Sequence, residues 1–496
     1  MRRFILIAAL IVTVAGAMAA GAVYWFLSGD GVRAALERQA AAWLGQPVAI
    51  GSASARLFPR PAMALRDIRI GNPARVTLAD VRLSTGLRSL LSRRIEDADI
   101  VLSNSRVELP LPFALPVSGA NTNAPAARGG GVEVVSVRAI TLRDITIASR
   151  GREIKISADS SLSSAHLNLD RFTATSGATT LEATGLTQLT PDINTQLQVK
   201  AARVDIDDLL ALAEAFTPRA PAVPRGRAAG PAFPGHLVAR ITAESARTGE
   251  LEIRQFATTV LAQGNRLTLS PTTFQLFGGR YDGALEIDLG ATLRASIKSR
   301  IADLDVGQLA EFGGIPGAMS GRLTGAGTFT GRGPTLEGAI AAATGEGTAT
   351  ITSGELKQLG LVRTVVLYFG RPEPGAAAAT DKFDRIDASF SLARRVVTAS
   401  ALSLHSPDLD LVAQGTFSIP DKGLNGHADL SLSEALSAQA GSDLQRFTLE
   451  GKRVLLPATI GGTLDAPRVS IDAAAATRRG LLNEVQRRLK GILGGP

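Results

Sequence analysis

From about residue 50 onward, apolar and polar positions alternate with a period of two, the pattern of strands that bury one face and wet the other. Leu409, Leu411, Ala413, Phe417 and Ile419 take the odd positions, with Asp408, Asp410, Gln414, Thr416 and Ser418 between them. Leu285, Ile287 and Leu289 alternate in the same way with Glu286 and Asp288, and Ile154 and Ile156 with Glu153 and Lys155. Helical spacing is confined to short stretches, at 31–44, 205–216, 305–312, 356–369, 433–440 and 477–493. The pattern predicts a mainly β protein, about 25 to 35 strands at ordinary strand lengths, with too little helix to cover its sheet.

The sharpest local prediction falls on Thr272 to Leu289, TTFQLFGGRYDGALEIDL. A two-residue primed turn at Gly278-Gly279, whose positive φ glycine tolerates, pairs Leu276 with Tyr281 and Phe274 with Gly283. Phe274, Leu276, Tyr281, Leu285, Ile287 and Leu289 then share one face, and Gln275, Arg280, Asp282, Glu286 and Asp288 the other. So one-sided a hairpin must bury its apolar face against something. Together with Leu409, Leu411 and Phe417, these apolar residues are the candidate lining of a groove.

Weak repetition runs through the strands. Leu65-Arg66-Asp67-Ile68-Arg69-Ile70 returns in outline as Ile95 to Ile100 and as Leu142 to Ile147, and a strand running into a short helix appears at 202–216 and again at 302–312. Similar rungs of this kind stack into extended bodies. Stretches rich in proline and glycine at 110–131, 218–235 and 370–380 cannot pack a core and read as linkers or long surface loops.

The chain opens with a different pattern. Met1-Arg2-Arg3 leads into an uncharged run from Phe4 to Leu27, which as a helix reaches about 36 Å and crosses a bilayer's hydrocarbon core. The two arginines before it, with Tyr24 and Trp25 at its far end, place the N-terminus in the cytoplasm and the rest of the chain beyond the membrane. The competing reading is a signal peptide cleaved after Ala17-Met18-Ala19, but the apolar run continues for eight residues past that site. At the other end, Leu481, Leu482, Val485, Leu489, Ile492 and Leu493 fall on one helical face, with Arg478, Arg479, Arg487, Arg488 and Lys490 making the tail basic. Such a helix either lies on a membrane surface or caps the end of the sheet.

Composition narrows the chemistry. With no cysteine, disulfides, thiolate metal sites and cysteine nucleophiles are excluded, so the fold stands on its core alone. The net charge of +8 suits anionic lipid headgroups on an exported, tethered chain better than nucleic acid. His166, His236, His405 and His427 are scattered, Gly325-Ala326-Gly327 with Gly331 misses the dinucleotide fingerprint by one residue, and acidic pairs such as Asp205 and Asp207 sit where helix capping accounts for them. The sequence therefore points to no enzyme, no cofactor and no metal.

Several segments together resemble the AsmA family of Gram-negative envelope proteins. The first is WLGQPVAIGSASARLFPRPAMALRDIRIGN, Trp43 to Asn72, following the anchor and a short helix; others are TLSPTTFQLFGGRYDG, GAMSGRLTGAGTFTGRG at Gly317 to Gly333, and GEGTATITSGELKQLGL at Gly345 to Leu361. Their order along the chain makes the resemblance specific; the region from about Asn121 to Ala201 matches more loosely. It implies a single N-terminal transmembrane helix followed by an elongated, curled antiparallel β-sheet groove with a few short helices. The implied organisation is a cytoplasmic N-terminus at 1–3 and an anchor at 4–27. An N-terminal β region at 28–116, a linker at 117–131, a middle β region at 132–217 and a proline-rich linker at 218–235 follow. The C-terminal region occupies 236–370 and 381–475 around a linker at 371–380, and the basic tail is 476–496.

The function implied is envelope biogenesis at the inner membrane, with the bulk of the chain in the periplasm. There it would move or hold phospholipid acyl chains in the groove, with an outer membrane or an outer-membrane or periplasmic protein as partner at the far end. The alternative is a non-conducting scaffold or assembly factor for outer-membrane proteins, whose apolar faces pack on one another as sandwiches or a filled solenoid.

Overall fold

The computed structural model describes residues 29–56, 60–86, 94–95, 97–109, 111, 133–134, 136–163, 165–208, 233–290, 292–356, 382–439, 448–463, 466–472, 474–475, 478 and 485. The predicted anchor at 4–27, the linkers at 117–131 and 371–380, and most of the helices expected at 205–216, 356–369 and 477–493 lie outside these residues. No helix among the described residues is long and apolar enough to cross a membrane.

The fold is mainly β. A helix, α1 (Gly29–Leu44), precedes β1 (Val48–Arg56), β2 (Ala62–Ile70), β3 (Val76–Ser84), β4 (Arg94–Ile95), β5 (Ala98–Ser103), β6 (Arg106–Leu109) and β7 (Glu133–Val134). Longer strands follow: β8 (Val137–Ser149), β9 (Arg152–Leu162), β10 (His166–Ser176), β11 (Thr179–Gln188), β12 (Asn194–Asp205), β13 (Phe233–Thr248), β14 (Leu251–Gly264), β15 (Arg266–Leu276), β16 (Gly279–Asp288) and β17 (Leu293–Asp305). After α2 (Val306–Phe312) come β18 (Arg322–Gly333), α3 (Leu336–Ala341), β19 (Thr344–Glu355), β20 (Lys382–Ala393), β21 (Val396–His405), β22 (Leu409–Ser418) and β23 (Leu424–Leu432). The chain continues with α4 (Glu434–Gln439), β24 (Leu449–Glu450), β25 (Arg453–Thr463) and β26 (Ala466–Ile471).

Twenty-four of the strands join one sheet, and β4 and β7 form a separate pair. The sheet is mixed, not purely antiparallel as expected: β5 and β6 run parallel to β8, and β12 parallel to β13. β13 also begins at Phe233, inside the stretch read as linker to residue 235.

By contacts the chain divides into two units. One holds the described chain through β13 with the ends of β14; the other holds the middle of β14 and everything from β15 on. In the first unit, α1 buries Leu36, Ala40 and Leu44 at helical spacing in the core that also holds Ile50, Leu65, Ile68 and Ile100. Glu37 fixes its approach by accepting the Ile50 N–H at 2.8 Å. The second unit has its own closed core, in which Leu409, Leu430, Val454 and Leu456 are at most 1% exposed.

The repeated rungs have a common backbone cause. Asp67, Asp97 and Asp144, the third residues of the three copies, all lie at φ of 52–54°, and Gln255, Asp303 and Ser353 take the same left-handed conformation at 52–55°. At Asp144 and Asp303 the pairing register shifts by one residue, a bulge; at Asp67 and Ser353 the register is the same on both sides, and the left-handed residue turns the alternation over without an inserted residue. Met63 and Leu65 are buried before Asp67 and Ile68 and Ile70 after it, so the buried set passes from odd to even positions; Ile145 and Ile147 follow Asp144 in the same way. A hydroxyl accepts the N–H in three cases, Asp97 to Ser136 Oγ, just before β8, at 2.9 Å, Asp144 to Ser157 Oγ on β9 at 3.2 Å and Asp303 to Thr324 Oγ1 on β18 at 3.4 Å.

Two further expectations change. The turn of the 272–289 hairpin is Phe277-Gly278, at φ of 46° and 68°, not Gly278-Gly279. Leu276 therefore pairs with Gly279 and Phe274 with Tyr281. Gly279 is a buried strand residue, where a side-chain carbon would lie 2.5 Å from Leu304 Cα. Phe277 holds its unusual backbone by packing on Phe312, ring centroids 5.6 Å apart. The short helix α3 was not expected; Thr335 caps it, accepting the Gly338 N–H at 3.1 Å.

Candidate functional site

Within the second unit, the strands from β15 to β19 present one apolar face whose rows can be followed from partner to partner. Leu285 lies opposite Ile297, Ile297 opposite Phe329 and Phe329 opposite Gly345. One level along, Gly283 faces Ser299, Ser299 faces Gly327 and Gly327 faces Gly347; beyond that, Tyr281, Ile301, Gly325 and Ala349 make the next row. The opposite face carries Asp282 with Arg300, and Lys298 with Thr328 and Glu346. Because directly paired residues point the same way, the register separates the two chemistries across the whole stretch.

Burial distinguishes this face from the packed cores. Tyr281, Leu285, Ile297, Ile301 and Phe329 are half-buried, neither sealed nor fully wet, while Asp282, Lys298, Arg300 and Glu346 are exposed. None of the five belongs to either core cluster. At one end of the face α3 lies directly on β18, where side chains at Gly331 and Gly333 would run into the helix backbone at Ala339.

Aromatic rings lie flat over the glycines of the face. Phe329 covers Gly327, with Cε2 2.7 Å from where a side-chain carbon would sit, and Phe390 covers Gly347 at the same distance through Cζ. Tyr281 does the same over Gly283, and its ring stacks on Phe274 with centroids 4.3 Å apart and planes 10° from parallel. Strand glycines are protected in this way without the ring standing up into the space above the sheet. Burial pushes the Tyr281 hydroxyl above its usual range, and the neighbouring Asp282 adds to the effect.

The predicted lining residues divide. Phe274, Leu276, Tyr281, Leu285 and Leu289 are half-buried, as is Phe417. Ile287 is closed at 9% exposed, and Leu409 and Leu411, on the same face of the sheet further along, are sealed at 1% and 5% within the C-terminal core. Gly278 is an exposed turn residue and Gly279 a buried strand residue, so the two do not act as a pair. Of the tail cations, Arg478 is described, exposed and bonded through Nε to the Ala474 carbonyl; Arg479, Arg487, Arg488 and Lys490 lie outside the described residues.

Ser299, Phe329 and Phe390 were missed from the sequence, although a signal existed. In Tyr281-Asp282-Gly283 and Gly327-Thr328-Phe329 an aromatic and a glycine sit two apart, on one face of one strand.

A hollow of about 750 Å³ on these strands is lined largely by the polar face, including Asp282, Lys298, Arg300 and Glu346. Among the described residues no group of three or more metal-ligating side chains comes together. Elsewhere, Asp410 accepts hydrogen bonds from His405 Nδ1 and, at 2.6 Å, from Arg453 Nη1. Burial pushes its carboxyl upward, but the Arg453 and His405 bonds outweigh that and hold it below the usual range. Arg453 also donates to the Leu432 and Ser431 carbonyls, so the cluster ties β22, β23 and β25 together. Compared with known protein families, with characterised proteins and with solved structures, the chain matches none.

Proposed function

We propose that this is an inner-membrane-anchored periplasmic protein of the cell envelope that holds or moves phospholipid acyl chains along the apolar face of its sheet. The observation that carries the reading is the half-buried run of Tyr281, Leu285, Ile297, Ile301 and Phe329, aliphatic and aromatic surface that neither packed core takes in. A soluble sheet that needed this face only for stability would seal it, since each large side chain fully buried is worth about 1.5–3 kcal/mol. The uncharged run at 4–27 supplies the tether, and the ordered resemblance to the AsmA family supports the same assignment. Phospholipid is the ligand, with an outer membrane or an envelope protein as the partner beyond it; the reading includes no catalytic step.

The competing scaffold reading draws on Leu409 and Leu411, where the same face is filled by protein. A photocrosslinker placed at Leu285 or at Ile297 of the full chain separates the two. Lipid adducts at these positions, and none at Leu411, are the expected result. Crosslinks to protein alone at Leu285 and Ile297 overturn the lipid reading in favour of the scaffold.

A further inference from the structure

Four side-chain hydroxyls interrupt the apolar face of the second unit, and three of them are satisfied within the protein. Thr272 Oγ1 shares a hydrogen bond with Thr258 Oγ1 at 2.8 Å, and Ser299 Oγ donates to the Gly327 carbonyl at 3.5 Å. The Tyr281 hydroxyl has no hydrogen-bond partner among the described residues. It is nevertheless tightly placed: Phe274 stacks on one side of the ring, and the hydroxyl lies over Gly283, whose lack of a side chain gives it room. Half-buried, the hydroxyl stays open to water or to a bound acceptor, and phenylalanine would fill the same space without a polar atom to satisfy.

The location of the hydroxyl is informative. Gly283 pairs with Ser299, so the Tyr281 oxygen and the Ser299 oxygen mark one level of the face. On one side of that level stand Ile301 and Ala349, on the other Leu285, Ile297 and Phe329. A ligand matched to this surface lays hydrocarbon on the apolar row and presents a hydrogen-bond acceptor at the level of the Tyr281 oxygen.

Resting on the acyl-chain reading above, we propose that the Tyr281 hydroxyl donates to the ester carbonyl of a bound acyl lipid and so sets a preference for ester-linked over ether-linked chains. The hydroxyl is a donor of ordinary strength, and the carbonyl is the acceptor that an ether lipid of the same chain length lacks.

The test offers the full-length chain an equimolar mixture of two phosphatidylglycerols with identical chains, one diacyl and one dialkyl, and measures the retained lipids by mass spectrometry. Wild type should favour the diacyl lipid about five-fold, the equilibrium equivalent of one hydrogen bond of ~1 kcal/mol. Tyr281→Phe should show no preference while keeping the wild-type melting curve, and Ser299→Ala, whose hydroxyl is already engaged, should keep the preference. Retention of both lipids without discrimination in wild type, or a preference that survives in Tyr281→Phe, overturns the role of the hydroxyl and leaves the acyl-chain reading standing. Retention of neither lipid by wild type overturns the acyl-chain reading itself.

Discussion

Asp67, Asp97 and Asp144 show how much one residue per rung decides. Each sits in the left-handed region, which a short polar side chain tolerates and a β-branched one does not. Asp144→Gly should therefore leave the denaturant midpoint nearly unchanged, while Asp144→Val should lower stability by about 1–3 kcal/mol. At the hairpin the same logic separates two adjacent glycines. Gly278, at φ of 68° with only Arg322 Nη1 near it, accepts asparagine with little loss, whereas Gly279→Ala drives a methyl against the backbone of Leu304 and should lower the melting temperature measurably. The repeat of Leu-Arg-Asp-Ile was legible in the sequence, but its meaning was not: period-two reading carries Leu65 and Ile68 to opposite faces, and only the left-handed backbone at Asp67 returns them to one. The turn was misplaced for a related reason, because an aromatic at positive φ, as at Phe277, is not what turn chemistry leads one to expect.

For whole elements, legibility depended on what leaves a trace in side chains. The alternation in β22 is visible residue by residue, and α1, α2 and α4 fall where spacing placed them. The parallel pairing of β12 with β13 leaves no such trace, since strand direction changes the hydrogen-bond pattern and not the alternation. Whether a face is sealed was equally hidden: Leu285-Glu-Ile287 and Leu409-Asp-Leu411 read alike, yet Leu285 is half-buried and Leu409 closed. Charge substitution exposes the difference. Leu411→Asp places an unpaired carboxylate in a dense core and should cost several kcal/mol, enough to prevent accumulation of folded protein. Leu285→Asp keeps water within reach and should fold, with a melting temperature well above that of the Leu411 variant. Between β19 and β20, Asp387 accepts from Arg385 Nε at 2.5 Å and Nη2 at 2.8 Å and from Thr350 Oγ1 at 2.7 Å. The Arg385 and Thr350 hydrogen bonds lower its carboxyl to about 2. Because the folded value lies below the unfolded one, this contribution is present above pH ~4 and is lost as pH falls toward 2. In an acid titration of stability, Asp387→Asn should flatten the decline across that window and leave the neutral region unchanged in slope.

At the scale of the whole molecule, backbone protection should follow burial. Hydrogen exchange should be slowest in the strands of the two closed cores, β2, β3, β5 and β8 in one unit and β22, β23 and β25 in the other. It should be faster in β10 to β12 and in β16 to β19, where large side chains are half-buried. Uniform protection across all of these strands would mean that the half-buried face is stabilised by something besides its own neighbours. The order of pairing has a further consequence. From β8 to β12, and again from β15 to β23, strands that follow one another in the chain pair with one another. Contacts made between sequence neighbours close small loops, so such a sheet grows hairpin by hairpin, each step requiring little chain entropy beyond the last. Its extent then becomes a quantity that changes in units of two strands. Excising β10 and β11 would bring β9 against β12 still antiparallel, with each face keeping its character, and shorten the row of strands by about 10 Å. A lineage could lengthen or trim this sheet by duplicating or losing hairpins, fitting its reach to whatever distance it has to cover, without redesigning a core.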